Sequence, residues 1–355
     1  MTPRTPVSII TGFLGSGKTT LLNHVLADPA MAGAAVIINE FGEIGLDHLL
    51  IATPNENTVL LSSGCICCTV RGDLVDTLRD LDAKRIAGGV PPFNRVLIET
   101  TGLADPVPII QTVIADEKIA PRFEMDGVIT LVDAVNGMSQ LDHQPQAVKQ
   151  AAIADRLLIT KTDIAEAPQT NVLLERLIQL SPGVPMQTAL QGKIDPACLF
   201  GVALNAGARG SEVARWLRDK AVTDIAYSPV REHDDQIRSH CLYLDEPVSR
   251  MGMTAWLTAI ASLRGASLLR VKALLNVEGE PVVVHAVQTL IHEPITLAQW
   301  PDEDRCSRLV FITRDMARAD IEATLDMLRL KPVNPARLDP RAYANFLAAM
   351  KKVHD

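Results

Sequence analysis

The stretch GFLGSGKT, residues 12–19, restricts what this chain can fold into more than any other segment. It fits the pattern G-x-x-x-x-G-K-[ST] at Gly12, Gly17, Lys18 and Thr19, between a β-branched run, VSIIT, and an amphipathic run, KTTLLNHVLAD. A strand, loop and helix in that order wrap backbone N–H groups and a helix N-terminus around a phosphate. Gly12, Gly15 and Gly17 let the backbone close on the anion, and Ser16 and Thr20 complete the loop. Lys18 brings a point charge to the β/γ oxygens, and the Thr19 hydroxyl is a ligand for Mg²⁺.

Such a loop needs a parallel sheet around it, and the sequence supplies one. AAVIIN, TVLLS, RVLIET, GVITLVDA and RLLIT read as further buried strands, separated by the helical patterns GDLVDTLRDLDAKRI, VPIIQTVIAD and NVLLERLIQL. This alternation predicts βαβ units, hence an α/β domain over residues 1–200 whose mostly parallel sheet carries helices on both faces. Small and polar residues without sustained period mark a linker over 201–236. SHCLYLD, TAWLTAIASL, LLRVKALLNV, the turn EGEP, VVVHAVQTLI and RLVFITR then predict a smaller α+β domain with a largely antiparallel sheet over 237–320. A helical tail over 321–355 follows.

A length of 355 residues suits two cores, and 47% hydrophobic residues is too apolar for disorder. The net charge of -8 gives no footprint for nucleic acid or an anionic membrane. No run approaches the roughly 18 apolar residues of a membrane helix, and MTPRTPVSIITG does not read as a secretory signal. The expected location is the cytoplasm, where the six cysteines stay reduced and point away from a disulfide framework.

Two further stretches belong with the phosphate loop. RVLIETTG places Glu99 at the end of a strand, where a carboxylate faces the ligand crevice of an open α/β sheet, and Gly102 beyond it makes TTGLADP a switch segment. TKTD after RLLIT has the spacing of a guanine-reading N/T-K-x-D turn. There Asp163 would accept from the base and the Lys161 stem would lie over the ring, with threonine replacing the commoner first asparagine.

The segment SSGCICC sets Cys65, Cys67 and Cys68 within four positions. Three thiolates satisfy most of a tetrahedral zinc shell, and the fourth position comes from elsewhere or stays open. INEFGEIGLD supplies Glu40, Glu43 and Asp47 in a loop that could reach both metal and nucleotide. The competing readings are a redox pair, for which Cys67 and Cys68 are awkwardly adjacent, and passive burial. His285 and His292 in VVVHAVQTLIH, and His240 beside Cys241, read first as packed histidines.

Taken in order, GFLGSGKTTLLN, INEFGEIGLD, GCICC, IETTGLADP and TKTD resemble the CobW-type family of P-loop GTPases, and the likeness extends over about residues 6–316. The resemblance implies a SIMIBI-type GTPase fold, shared with hydrogenase and urease maturation factors, plus a C-terminal domain. It implies slow GTP hydrolysis, a C-x-C-C segment that binds zinc, cobalt or another divalent transition metal, and delivery of that metal to a client metalloenzyme. Carried over, Gly12 to Thr19 bind phosphates, Glu99 is the Walker B acid, Lys161 and Asp163 read guanine, Cys65, Cys67 and Cys68 hold the metal, and Glu40 lies beside them.

Two departures stand out: no His-rich stretch is present, and Thr289 occupies a position where relatives often carry another histidine. They weigh against a metal store and leave the C-terminal domain as a client-docking surface. Two rival readings remain, a metal-binding or sensing module merely stabilised by nucleotide, and a P-loop kinase that uses ATP. Metal, client and oligomeric state stay open, with a homodimer as one option.

Overall fold

A computed structural model describes residues 3–39, 59–63, 70–201, 237–262 and 267–331. Glu40, Glu43, Asp47, Cys65, Cys67 and Cys68 lie outside the described residues, as do 202–236 and 332–355.

Strand runs apolar at every position must be covered on both faces, and that is how the first sheet is built. Its strands are β1 (Thr5–Gly12), β2 (Ala34–Asn39), β3 (Val59–Ser63), β4 (Arg95–Glu99), β5 (Phe123–Asp133), β6 (Arg156–Thr160) and β7 (Met186–Ala189). Among the described residues they form one parallel sheet in the order β3-β2-β4-β1-β5-β6-β7. The helices are α1 (Lys18–Leu26), α2 (Val70–Ile86), α3 (Val107–Ala115), α4 (Gly137–His143), α5 (Pro145–Ala152) and α6 (Ala167–Leu180). Ile9, Ile37 and Ile98 face a core shared with Leu78 of α2, Val113 of α3 and Leu177 of α6. Their neighbours Ile10, Ile38 and Leu97 face the opposite core under Leu21, Leu22 and Val25 of α1. Pro108, Pro145 and Pro168 sit in the first turns of α3, α5 and α6, where a missing N–H has no intrahelical partner to lose.

Strand order reverses around β1, which pairs with β4 on one side and β5 on the other. Register then gathers the strand ends: Ile10 lies opposite Glu99, Gly12 opposite Leu131, and Asp133 opposite Thr160. A ligand crevice is expected at such a switch point, outside the carboxyl ends of the strands.

The second domain contains β8 (Ile237–Leu244), α7 (Arg250–Ser262), β9 (Leu268–Val277), β10 (Glu280–Val287), β11 (Leu290–Ile291), β12 (Ile295–Thr296), β13 (Ser307–Arg314) and α8 (Arg318–Leu325). Its antiparallel sheet runs β11-β10-β9-β13-β8, with β12 on β10. The EGEP turn closes a hairpin in which Val277 pairs with Glu280, and Glu278 and Gly279 take φ of 57° and 98°, both positive as a two-residue primed turn requires. Trp256 of α7 is fully buried, edge-on to Phe311 at 6.2 Å, and its Nε1 donates to Thr324 Oγ1 at 3.2 Å. Ile321, Leu325 and Leu328 share that core, so the helical segment expected as a tail from residue 321 packs into the domain as far as residue 328.

The two domains share buried surface. Leu269, Val287 and Ile312 of the second belong to the same core as α5 and α6 of the first. Arg270, 1% exposed, donates to the Ile153 and Ala154 carbonyls and pairs with the Asp155 carboxylate. Asp155 Oδ2 accepts from the Val128 N–H at 3.0 Å, and Lys272 Nζ stands 3.4 Å from Oδ1. Burial alone would raise the Asp155 pKa, but the Arg270 and Lys272 charges and the Val128 amide outweigh it and hold the carboxylate below its usual range.

Beside this pair the β10–β11 turn stacks His285 on His292, ring centroids 4.5 Å apart and 8° from parallel. His285 Nε2 accepts from Arg270 at 3.1 Å. Burial, the partner ring and the Arg270 and Lys272 charges hold His285 well below its ordinary value; burial and Arg270, outweighing the nearby Asp155, take His292 to about 4. Both rings are therefore neutral at pH 7, each beside the Arg270 charge. Because an unfolded histidine titrates near ~6.5, the unfolded chain binds more protons than the folded one between there and about 4. Stability is expected to fall as pH drops through that window. Melting followed by circular dichroism at pH 7 and pH 5 tests this, and His292→Phe, which keeps a stacked ring but cannot titrate, should lose less between the two pH values than the parent.

Candidate nucleotide site

The loop after β1 closes tightly. Gly12 has φ of 144°, and a Cβ there would stand 2.5 Å from the Leu131 carbonyl oxygen, so only glycine lets β1 turn against β5. Gly17, at φ 94°, is the N-cap of α1 and no side chain caps the helix, which leaves its first N–H groups directed at the loop. Lys18 is 8% exposed, and its Nζ donates to the carbonyls of Gly12 at 2.8 Å and Phe13 at 3.3 Å. Ser16 Oγ is buried with no hydrogen-bond partner among the described residues. An unsatisfied hydroxyl, an ammonium and a helix N-terminus in one concave loop are the donor set a phosphate takes up.

Glu99 ends β4 beside this loop and is 6% exposed. Next to it, Thr100 Oγ1 donates to Thr11 Oγ1 at 2.8 Å, tying the two strand ends. Gly102 lies against the phosphate loop so closely that a Cβ would stand 2.6 Å from the Leu14 backbone nitrogen. The 101–105 segment therefore rests on the loop itself.

The other side of the loop is held by the TKTD turn. Thr160 Oγ1 donates to the Ser16 carbonyl at 2.8 Å, with the Val132 carbonyl at 3.3 Å. Threonine in place of asparagine thus supplies a hydroxyl donor that joins the turn to the phosphate loop. Lys161 takes φ of 58°, and its Nζ pairs with Asp133 Oδ2 at 2.7 Å. Asp163 stands exposed at the rim.

Asp133, at the end of β5, also accepts from the Val135 N–H at 2.8 Å and from Asn136 Nδ2 at 2.9 Å. Burial pulls its pKa up, but the Lys161 ammonium, Asn136 and the backbone amides outweigh that and hold the carboxylate below its usual range. Asp133 fixes the direction of Lys161, a role the sequence pattern alone does not assign; an acidic residue ending an expected strand is the available signal. A second element missed in the sequence is the turn after β7. Gly192 there, at φ 77°, would place a Cβ 2.5 Å from the Thr20 carbonyl oxygen, so the turn packs on the start of α1. The dipeptide Gln191-Gly192 directly after a strand is its signal.

Gly12, Gly15, Ser16, Gly17, Lys18, Thr19, Thr20, Glu99, Gly102, Lys161 and Asp163 all lie along the carboxyl edge of this one sheet. The cysteine segment and Glu40 lie outside the described residues, among which no three His, Cys, Asp or Glu side chains come together as a metal seat. Of the remaining thiols, burial pushes Cys241 up to about 11, and burial with the Asp245 contact pushes Cys306 up to about 11, so both are protonated at neutral pH.

A parallel sheet switching direction around a glycine loop of this kind belongs to the P-loop class of nucleotide-binding proteins. Residues 6–188 match the family described as CobW/HypB/UreG, nucleotide-binding domain, and residues 237–329 match the cobalamin synthesis protein cobW C-terminal domain; the chain belongs to this family. The zinc chaperone YjiA of Escherichia coli K12 is 36% identical over 326 residues, 91% of this chain and 98% of that protein. The zinc-regulated GTPase metalloprotein activator 1 of Schizosaccharomyces pombe is 30% identical over 248 residues, 68% of this chain and 56% of that protein. The crystal structure of Zn(II)-bound YjiA GTPase from E. coli superposes with a TM-score of 0.70 at 31% identity, covering 92% of this chain and all of the other.

Proposed function

We propose that this chain hydrolyses GTP and couples the state of the nucleotide to holding a divalent transition metal, zinc first among them, for delivery to a client metalloenzyme. The reading rests most on the Thr160 hydroxyl bonded to the Ser16 carbonyl, because that bond makes the base-reading turn and the phosphate loop one unit. Names of relatives, a zinc chaperone and a zinc-regulated GTPase, support the same activity.

In this reading the amides after Gly12 and the N-terminus of α1 hold the β-phosphate, and Lys18 meets the β/γ oxygens. Thr19 and Glu99 would hold Mg²⁺, which would supply charge neutralisation for the phosphate oxygens. Water attacks the γ-phosphorus, the bond to the β-γ bridging oxygen breaks, and GDP and phosphate leave without a covalent enzyme intermediate. Gly102 sits where a loop would respond to loss of the γ-phosphate. Cys65, Cys67 and Cys68, with Glu40 beside them, take the metal as cargo, and the reducing cytoplasm keeps those thiols available. Residues 1–200 form the hydrolytic unit, and the C-terminal sheet domain is the surface for the client.

Asp163 separates this from an ATP-using kinase. A carboxylate that accepts from guanine N1 and the exocyclic amine has no equivalent partner on adenine. Titration with fluorescent nucleotides is expected to give a preference of at least about 10²-fold for GTP over ATP, and Asp163→Asn should remove most of it by weakening GTP alone. Equal affinities in the parent protein would end the guanine assignment.

A further inference from the structure

Helix α5 touches the nucleotide edge at one point and the second domain at another. Gln150, 1% exposed, points its amide nitrogen at the loop beyond β4, donating to the Gly102 carbonyl at 3.1 Å and the Ala104 carbonyl at 2.9 Å. Its own backbone carbonyl accepts from Thr130 Oγ1 of β5 at 2.8 Å. Lys149 beside it pairs with Asp105 of the same loop at 2.5 Å. Three and four residues further on, the Ile153 and Ala154 carbonyls leaving the helix are gripped by Arg270, which also holds Asp155. A guanidinium on the last carbonyls of a helix complements its dipole and fixes where the helix ends.

We propose that Gln150 is a positioning residue for GTP hydrolysis, and that the C-terminal domain acts on hydrolysis through it by way of Arg270 and α5. The inference rests on the reading of 101–105 as the loop that faces the γ-phosphate. Holding the Gly102 and Ala104 carbonyls fixes the peptide planes that follow those residues. Because Gly102 has no spare room against Leu14, a shift of the loop is passed to the phosphate loop at once. Small misplacements of groups around reacting atoms cost much in rate. Gln150 Oε1 is buried and accepts nothing among the described residues, so the side chain is kept for its two donors.

The test uses the full chain and single-turnover hydrolysis beside GTP and GDP affinities. Gln150→Met keeps the volume and removes the donors; hydrolysis should slow about tenfold while both affinities stay within about twofold. Arg270→Lys keeps a cation for Asp155 but has no second nitrogen to hold the two carbonyls at the same time, as Nη1 does while Nη2 pairs with the carboxylate, and a slowing of about threefold or more is expected. If both act through α5, the double variant is no slower than Gln150→Met alone, since effects within one pathway fail to add. A parental rate in Gln150→Met or Arg270→Lys, affinities that fall in step with the rate, or losses that multiply in the double variant overturn the proposal. Gly102→Ala separates the two levels. A parental rate there refutes the loop reading and the inference with it, whereas a slowed Gly102→Ala beside an unaffected Gln150→Met refutes the inference alone.

Discussion

Hydrolysis of GTP is expected to fall about 10²–10³-fold when Lys18 is replaced by alanine, the loss found when one oriented donor is removed from a developing charge. Lys18 is 8% exposed and its ammonium is held by the Gly12 and Phe13 carbonyls, so its charge acts where water screens it little. Neighbouring amides cannot replace it, because they carry dipoles rather than a full charge. Single-turnover kinetics provide the measurement, with a melting curve to show that the fold survives. A rate within about tenfold of the parent would mean that the loop binds phosphate without taking part in the reaction.

The second large effect is expected at the thiols. Changing Cys65, Cys67 and Cys68 to serine should weaken zinc binding by about 10³-fold or more in competition with a chromophoric chelator, while GTP still binds. Other groups offer no ready substitute. Cys241 and Cys306 are pushed up to about 11, His285 is engaged by Arg270, and no triad of donors exists among the described residues. In the parent protein, zinc affinity should also differ between GDP and a nonhydrolysable GTP analogue, since coupling between two sites is reciprocal. Zinc affinity untouched by the serine substitutions would put the metal elsewhere.

Strands with every position apolar, and helices with a clear 3.6-residue period, are legible in the sequence alone, and so is the glycine loop between β1 and α1. What escapes is written in contacts between distant residues. GMSQLDH and PQAVKQAA hold too few apolar positions to announce α4 and α5; the end of α5 is fixed by Arg270, more than a hundred residues away in sequence. Asp133 reads as the end of a strand because its value lies in reaching Lys161, 28 positions on. Thr160 looks like a weakened motif until its hydroxyl is found on Ser16. Thr289 likewise counts as a missing histidine, yet it occupies the tight turn between Val287 and Leu290 that stacks His285 on His292. Local patterns report which face is apolar; they do not report which polar group meets which.

The Arg270–Asp155 pair limits how freely this protein can be recombined. A nucleotide domain cut away from its partner would lose both counter-charges of Asp155 and uncover the apolar surface that Leu269, Val287 and Ile312 now bury. Grafting the C-terminal half onto another P-loop protein would meet the same obstacle unless the acceptor carried a matching carboxylate at the foot of its sixth strand. The two halves thus fit each other as a matched set, and the modularity suggested by two family matches stops at one arginine.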